Sequence, residues 1–422
     1  MRSVGERGRA GILTGLLLSA TLTALAQDHA ARFEQVDGLI YVDVAVNGSA
    51  PLPFLLDTGA TGTVVSAATA KVAGLVSSGE SIPIGGPGSG GGSGGGPVGG
   101  RGKSSAGEIV RGVSLRVGDF ELPPQEVVVA SFGAVTAGAG HRTAGILSVS
   151  RLPAVEIDYG SSVIRFADGN RATDEGGIPL RIEEGFPLIH AEIGLPQGGK
   201  AEGTFLIDTG AKLAGLILTR SFLDRHPEIL ACGEHPEIPS IAVFGGVMEL
   251  EGGRVASLEL GGYSLAQPFT LFARNRSKLF DGAGIDGVIG TQILSRFRVG
   301  IDAARGRLYL RSNRTLDEPL LADASGLRVV VVPPDFHRFK VIAVMKGSPA
   351  DDVGMRAGDV VEGIGETVAD DLDLAEVRRM LSIPNRRYAL TVLRGDDAMH
   401  VDLATRELFS YVGCGEKQGG GR

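Results

Sequence analysis

Two short apolar runs in this 422-residue chain each end in the same small and polar residues. Residues 54–56 precede an Asp-Thr-Gly-Ala sequence at 57–60, and residues 205–207 precede a second copy at 208–211. A short apolar run bounded by a turn signal predicts a buried strand, and Asp, Thr and Gly after it predict a tight turn. Each run therefore predicts a strand that carries a carboxylate at its end.

The sequence that follows the two carboxylates repeats as well. Residues 115–122 and 258–265 each predict a strand, a turn at a glycine and a second strand, and residues 144–148 match residues 286–290 further on. The motifs keep their order at an offset of roughly 150 residues, which is too long for a solenoid repeat. We interpret the pattern as an internal duplication that builds two lobes of one enzyme.

Two carboxylates that meet across a pseudo-twofold axis can serve as an acid and a base. Neighbouring carboxylates cannot easily both ionise, so the pair holds one proton. We expect one of Asp57 and Asp208 to take a proton from a bound water while the other donates a proton to the reacting group, without any cofactor. The residues that would orient these loops and turn backbone N–H groups toward the carboxylates are Thr58, Gly59, Thr209 and Gly210.

Residues 33–312 resemble the retropepsin-like aspartic proteases, and two such halves in one chain are similar to the bilobal pepsin plan. The resemblance rests on the two Asp-Thr-Gly-Ala loops and on the apolar-apolar-Gly segment 288–290, which in the family packs behind a catalytic loop. Ser148 stands where the family usually has glycine in the first half, and because serine is small we expect this packing to survive. The resemblance implies an aspartic endopeptidase that cleaves polypeptide substrates and, with both loops present, works as a monomer.

Residues 85–100 are rich in glycine and serine, which cannot bury a core and predict a flexible loop. They lie where proteases of this type carry a flap hairpin, so a mobile flap and a surface insertion beside the flap both remain open. In the second half, residues 241–250 place strand formers around a Gly-Gly pair and predict a hairpin. The candidate flap residues there are Phe244, Gly245 and Gly246, with a core position for Phe244 as an equal alternative.

The pattern changes from Gly326 onward. Apolar runs predict further strands, and residues 374–381 have helical spacing. The stretch from Gly347 to Asp359 resembles the bacterial PDZ signature, and the resemblance covers about residues 322–405. PDZ domains bind extended C-termini by adding a strand to a sheet edge, so the resemblance implies a peptide or protein ligand. The carboxylate-binding loop would lie near residues 333–337, which lack its usual pattern, so carboxylate capture stays open.

The N-terminus has the features of an export signal. Three arginines lie among the first nine residues, residues 11–26 are mostly apolar, and Ala24-Leu25-Ala26 precedes Gln27. This order predicts a signal peptide that is cleaved after Ala26, and therefore a periplasmic or secreted protein. An uncleaved segment that anchors the protein to a membrane is the main alternative.

Composition narrows the remaining choices. The net charge of −8 and the lack of a basic run argue against nucleic acid as a partner, and scattered histidines without Cys-x-x-Cys argue against a metal site. Cys232 and Cys414 could pair in an oxidising compartment, but they fall in different predicted domains, so two free thiols are at least as plausible.

Together these patterns predict a mostly-β, bilobal fold followed by a small α+β domain. The predicted segments are a signal peptide at 1–26, lobe one at 27–175, lobe two at 176–315, a PDZ-like domain at 320–408 and a disordered tail at 409–422. The rival hypothesis is a non-catalytic peptide-binding or scaffold protein that uses the cleft and the PDZ-like domain. Loss of either aspartate would favour it, and both are present.

Overall fold

A computed structural model of the chain describes residues 29–83, 106–167, 176–243 and 246–414. The predicted signal peptide, the Gly-rich segment and the candidate flap residues Phe244 and Gly245 lie outside these described residues. Strands dominate the described part, as predicted. None of its helices has the length and apolar character that crossing a membrane requires.

The first lobe is built from short antiparallel and parallel strands around two small helices. The apolar run before Asp57 forms a buried strand, and Ser66 caps the first helix because its side chain accepts the amide of Thr69. The elements are β1 His29–Val36, β2 Leu39–Val46, β3 Leu52–Asp57, β4 Thr63–Ser66, α1 Ala67–Val72, β5 Ser81–Pro83, β6 Ala106–Val117, β7 Phe120–Ala130, α2 Gly133–Ala139, β8 Gly145–Ser148, β9 Ala154–Asp158 and β10 Val163–Ala167.

The second lobe repeats this order, with two of its long strands broken in the middle. Thr219 caps its first helix as Ser66 does in lobe one. The elements are β11 Ile178–Glu183, β12 Phe186–Gly194, β13 Lys200–Ile207, β14 Leu216–Leu218, α3 Arg220–Arg225, a 3-10 turn at Pro227–Leu230, β15 Glu237–Val243, β16 Gly246–Arg254, β17 Ser257–Leu260, β18 Tyr263–Ala266, β19 Phe269–Ala273, α4 Lys278–Gly282, β20 Gly287–Ile289, α5 Thr291–Leu294, β21 Phe297–Asp302 and β22 Arg307–Ser312.

The two lobes share one arrangement around the strands that end in Asp-Thr-Gly. In lobe one β8 runs parallel to β3 and antiparallel to β4, and in lobe two β20 has the same relation to β13 and β14. A Cβ on Gly145 would lie 2.2 Å from the Phe54 ring, and one on Gly287 would lie 2.7 Å from the Phe205 ring. The duplication predicted from the sequence is therefore present down to matched glycine–phenylalanine contacts.

An antiparallel sheet joins the lobes in the order β1, β10, β9, β21, β22, β11. At its centre Glu156 pairs with Gly300, Asp158 with Arg298, and Ala154 with Asp302. Equivalent residues of the two halves thus lie on opposite sides of the Glu156–Gly300 pair. The pseudo-twofold axis inferred from the repeat passes through this residue pair.

The C-terminal domain is a small sheet with one longer helix, as predicted. The sheet runs β23, β24, β25, β27, β28, with β26 on β25, and Asp373 and Glu376 form a reciprocal cap at the start of the helix α7. The elements are β23 Leu327–Val332, β24 Asp335–Val344, α6 Pro349–Asp352, β25 Val360–Ile364, β26 Thr367–Val368, a 3-10 turn at Ala369–Asp371, α7 Leu374–Leu381, β27 Arg387–Arg394 and β28 Asp397–Ala404.

Two expectations about this region need correction. Residues 333–337, where a carboxylate-binding loop was expected, form the tight turn between β23 and β24 and the start of β24, because Val332 pairs with Asp335. Residues 409–414, assigned to a disordered tail, instead pack on lobe two. Phe409 is 2% exposed and lies 4.8 Å from the Phe269 ring, since Gly252 leaves room for it.

Cys232 and Cys414 form a disulfide, with their Cα atoms 5.4 Å apart. This distance lies in the usual range for such bonds. The bond attaches the end of the described chain to lobe two. Of the two states that the sequence left open, the structure contains the bridged one.

Candidate active site

Asp57 and Asp208 lie at the ends of β3 and β13, in what we call the first loop (residues 57–61) and the second loop (residues 208–212). The Gly59 amide donates to Asp57 Oδ1 at 2.8 Å, and the Gly210 amide donates to Asp208 Oδ1 at 2.7 Å. Both aspartates are half-buried. Each loop therefore fixes its own carboxylate through a backbone N–H group two residues further on.

The two loops also face each other directly. A Cβ built on Gly59 would lie 2.6 Å from Asp208 Cγ, and one on Gly210 would lie 2.6 Å from Asp57 Oδ2. Real Cβ atoms do not approach other heavy atoms so closely. Glycine at both positions is what lets each loop lie against the carboxyl group of the other.

Thr58 and Thr209 bind the loops together across the lobe boundary. The Thr58 hydroxyl donates to Ile207 O at 2.6 Å and accepts the Thr209 amide at 3.0 Å. The Thr209 hydroxyl donates to Leu56 O at 2.9 Å and accepts the Thr58 amide at 3.1 Å. Because both side chains are almost fully buried, these reciprocal hydrogen bonds hold the two lobes in one register.

The electrostatics of the pair favour retention of a proton. Burial raises the pKa of Asp57 well above its ordinary value, and the nearby charge of Asp208 raises it further. Burial also raises the pKa of Asp208, against the hydrogen bonds from the Gly210 and Ala211 amides. Two carboxyl groups in this arrangement can present one acid and one base at the same pH.

The segments behind the two loops end in different residues, Ser148 in lobe one and Gly290 in lobe two. Ser148 Oγ donates to Ala60 O at 2.5 Å, so the serine that replaces the expected glycine is bonded to the first loop. At the equivalent position in lobe two, a Cβ on Gly290 would lie 2.3 Å from Ala211 O. The first lobe accepts a side chain here, whereas the second has room only for glycine.

The flap assignments stay predictions. Val243 pairs with Gly246 at the end of the β15–β16 hairpin, which places Gly246 at the start of β16, while Phe244 and Gly245 lie outside the described residues. In lobe one, Pro83 pairs with Ala106. The described strands that precede and follow the Gly-rich segment in sequence, β5 and β6, are therefore neighbours in the sheet.

A charged cluster beside the second loop was not foreseen from the sequence. Lys212 Nζ and Arg378 Nη1 each donate to Asp37 Oδ2 at 2.6 Å, and both also donate to Gly138 O, at 3.1 and 2.9 Å. The sequence contains one sign of this cluster: a lysine ends the second loop where Thr61 ends the first. We call Asp37, Lys212 and Arg378 the Asp37 cluster.

The described residues offer no group of three or more His, Cys, Asp or Glu side chains that could hold a metal ion. At the two loops, the carboxyl groups are contacted by backbone N–H groups. Such a site can transfer protons to and from a bound water and a polarised carbonyl.

Two parts of the chain match the models of known families. Residues 42–150 match the family model described as aspartyl protease, which includes the first loop, and residues 340–394 match that of the PDZ domain. The chain therefore combines an aspartyl-protease region with a C-terminal PDZ domain. No curated protein matches the sequence.

Several solved structures resemble parts of the chain at low sequence identity. An aspartic proteinase from Irpex lacteus is 14% identical over 69% of this chain and 99% of its own, with a TM-score of 0.41. Basic 7S globulin from soybean is 13% identical over 68% of this chain and 95% of its own, with a TM-score of 0.37. The HtrA3 PDZ domain bound to a phage-derived ligand is 19% identical over 20% of this chain and 86% of its own, with a TM-score of 0.19.

Proposed function

We propose that the chain is an exported aspartic endopeptidase that hydrolyses peptide bonds at Asp57 and Asp208 through an activated water. The observation that carries this proposal is the reciprocal contact of the two loops. Each loop glycine lies against the opposite carboxyl group, so the two carboxyl groups share one small space. Both loops belong to one chain, so a monomer holds the complete site.

The mechanism follows from the shared proton. The ionised carboxylate of the pair takes a proton from the water as it attacks the peptide carbonyl carbon, and the protonated carboxyl donates to the carbonyl oxygen. Which aspartate carries the proton is a property of the pair. The amides of Gly59 and Gly210 keep one oxygen of each carboxyl fixed, so proton transfer needs little rearrangement of the site.

The PDZ domain would position substrates or control access rather than catalyse. Its edge strand β23 contacts both lobes. Arg328 on β23 donates to Pro239 O at 2.9 Å and to Ser240 O at 3.2 Å, in the β15 strand of lobe two, and Gly140 at the end of α2 packs against Leu374 of α7. A peptide bound along β23 would thus lie close to both lobes.

Export is the second part of the proposal. The predicted signal peptide supports it, and the Cys232–Cys414 bond is of a kind that persists in oxidising compartments. N-terminal sequencing of the exported protein should begin near Gln27. Recovery of the full-length chain only from the cytoplasm would contradict this part.

The function is tested by incubating purified residues 27–422 with a diverse peptide library from acidic to neutral pH and reading the products by mass spectrometry. We expect new cleavage sites that vanish in the Asp57→Asn and Asp208→Asn variants and in the presence of a pepstatin-type inhibitor. Peptide binding without cleavage by the wild type would support the non-catalytic alternative. Full activity in Asp208→Asn would mean that the second loop is structural.

A further inference from the structure

The two loops are equivalent up to their fourth residue and differ at the fifth. Thr61 ends the first loop and is exposed, whereas Lys212 ends the second with a side chain only 13% exposed. Burying a lysine is costly unless its charge is paired. Lys212 therefore needs a partner for its charge, and the position of that partner matters to the second loop. The first loop has no equivalent of this pair.

That partner is shared with the PDZ domain. Lys212 binds the carboxylate of Asp37 in the β1–β2 turn, and the same oxygen accepts Arg378 from α7. The Asp37 cluster thus joins lobe one, lobe two and the PDZ domain at one oxygen atom. Since Gly138 O of α2 accepts from the same two cations, neither cation can move without changing the surroundings of the other.

The charges of the cluster are unbalanced. Burial and the neighbouring charge of Arg378 lower the pKa of Lys212 to about 8. Burial raises the pKa of Asp37, but the charges and hydrogen bonds of Lys212 and Arg378 outweigh it, so that this pKa is lowered. Two cations therefore compete for one carboxylate, and removal of either one strengthens the hold of the other.

Lys212 is close in sequence to the groups that hold the catalytic carboxyl. It follows Ala211, whose amide donates to the main-chain oxygen of Asp208 at 3.4 Å and whose carbonyl accepts the Thr291 amide at 2.8 Å. A shift of the lysine backbone would be transmitted through a single peptide unit to these bonds. The second loop is therefore mechanically connected to the Asp37 cluster.

At the other end, Arg378 is bound to the strand that a ligand would extend. Its Nη2 donates to Val329 O of β23 at 2.7 Å, and β23 is the edge strand of the PDZ sheet. A peptide that adds to β23 needs backbone acceptors along that edge. Such a peptide would compete with Arg378 for Val329 and so disturb the Asp37 cluster.

We propose that Lys212 is a positioning residue through which the PDZ domain sets the second loop, with Asp37 as the carboxylate that Lys212 and Arg378 share. The kinetic part of this proposal rests on the proposed function, but the structural coupling does not. A change at Arg378 on the PDZ domain should therefore alter the backbone of residues 208–212, whether or not a substrate is cleaved.

The first test is amide hydrogen exchange of the full mature chain, read by mass spectrometry on peptides that contain residues 209–213. Lys212→Met should increase exchange there, whereas Arg378→Met should decrease it, because Asp37 then binds Lys212 alone. Arg406→Met is the matched control, because it removes another arginine of the PDZ domain, one that bonds Asp352 and Gly347 O and does not touch the cluster. It should leave this segment unchanged. Equal exchange in wild type and Arg378→Met, with folding verified by circular dichroism, would overturn the proposal.

The second test is steady-state kinetics on a peptide that the wild type cleaves. Lys212→Met should lower kcat about two- to thirtyfold, the range typical of residues that act through coupling, with a smaller change in KM. Lys212→Arg should restore most of kcat, because it keeps the charge near Asp37. Equal kcat in Lys212→Met and wild type would refute the positioning role. A wild type that cleaves nothing would refute the proposed function and leave the exchange result to decide the coupling.

Discussion

Thr58 and Thr209 exchange hydrogen bonds across the lobe boundary, each hydroxyl accepting the amide of the other threonine. Each hydroxyl also donates to a carbonyl of the opposite lobe. The relative position of the two aspartates therefore depends on side chains next to them that take no part in proton transfer. The two threonines therefore fix the geometry of the site, while the two aspartates carry its charge.

Thr58→Val should destabilise the junction of the lobes. Valine has the shape of threonine but leaves Ile207 O without its donor and the Thr209 amide without its acceptor. A buried polar group left unpaired costs about 1–3 kcal/mol, so the free energy of unfolding should fall by at least that amount in urea titrations. Thr58→Ser, which keeps the hydroxyl, is the control. Equal stability of the valine variant and wild type would contradict the assigned hydrogen bonds.

Gly59→Ala should displace the Asp208 carboxyl, because the new methyl group would need the space that Asp208 fills. A misplacement of about 1 Å near reacting groups can cost roughly a hundredfold in rate, and we expect a loss of that order in kcat/KM. Gly62→Ala is the matched control, since a Cβ there meets no atom within 4 Å. If both variants kept full activity, the close contact of the loops would not matter to catalysis.

Asp57→Asn should abolish cleavage and yet stabilise the fold at neutral pH. The folded-state pKa of Asp57 is raised above its ordinary value of 3.8. The folded state therefore binds the proton more tightly than the unfolded state, so stability contributed by this group is present below pH 3.8 and is lost as pH rises through the folded pKa. Asparagine avoids that loss.

The stabilisation by Asp57→Asn should be measurable at pH 7, as the direction of the pKa shift requires. It should shrink toward pH 3. Thermal unfolding of both proteins across this pH range measures the difference, and a variant less stable than wild type at pH 7 would contradict the raised pKa. Activity should fall by at least about a hundredfold, and wild-type activity should decline at alkaline pH as the pair loses its last proton.

Cys232→Ser with Cys414→Ser should lower stability by about 2–5 kcal/mol, the usual cost of removing a native disulfide. The bond spans a sequence separation of 182 residues, so it restricts the unfolded chain strongly. Chemical denaturation with and without reductant measures the effect. The wild type under reducing conditions should match the double variant, and no difference between oxidised and reduced wild type would contradict the assigned bond.

The parts of the structure that the sequence predicted depend on local patterns. The loops at Asp57 and Asp208 follow apolar strands and contain the glycine that a tight approach requires, and the repeat places both in equivalent lobes. The Asp37 cluster lacks such a signal, because Asp37, Lys212 and Arg378 meet only after three separate units have packed. Phe409 was missed for a similar reason: a single apolar residue has no periodicity, and its burial depends on the space beside Gly252.

The way the PDZ domain is connected limits how it can move. Arg254 of lobe two donates to Leu320 O where the chain enters the domain and to Phe409 O where it leaves. The Cys232–Cys414 bond then links the chain that has left the domain to lobe two. The domain is thus tethered at both ends to the same body. A single proteolytic cut in either connection would leave it attached, and release would require a cut in the entering connection together with either a second cut in the leaving connection or reduction of the bond. Its local concentration beside the lobes is therefore set by covalent structure rather than by binding affinity.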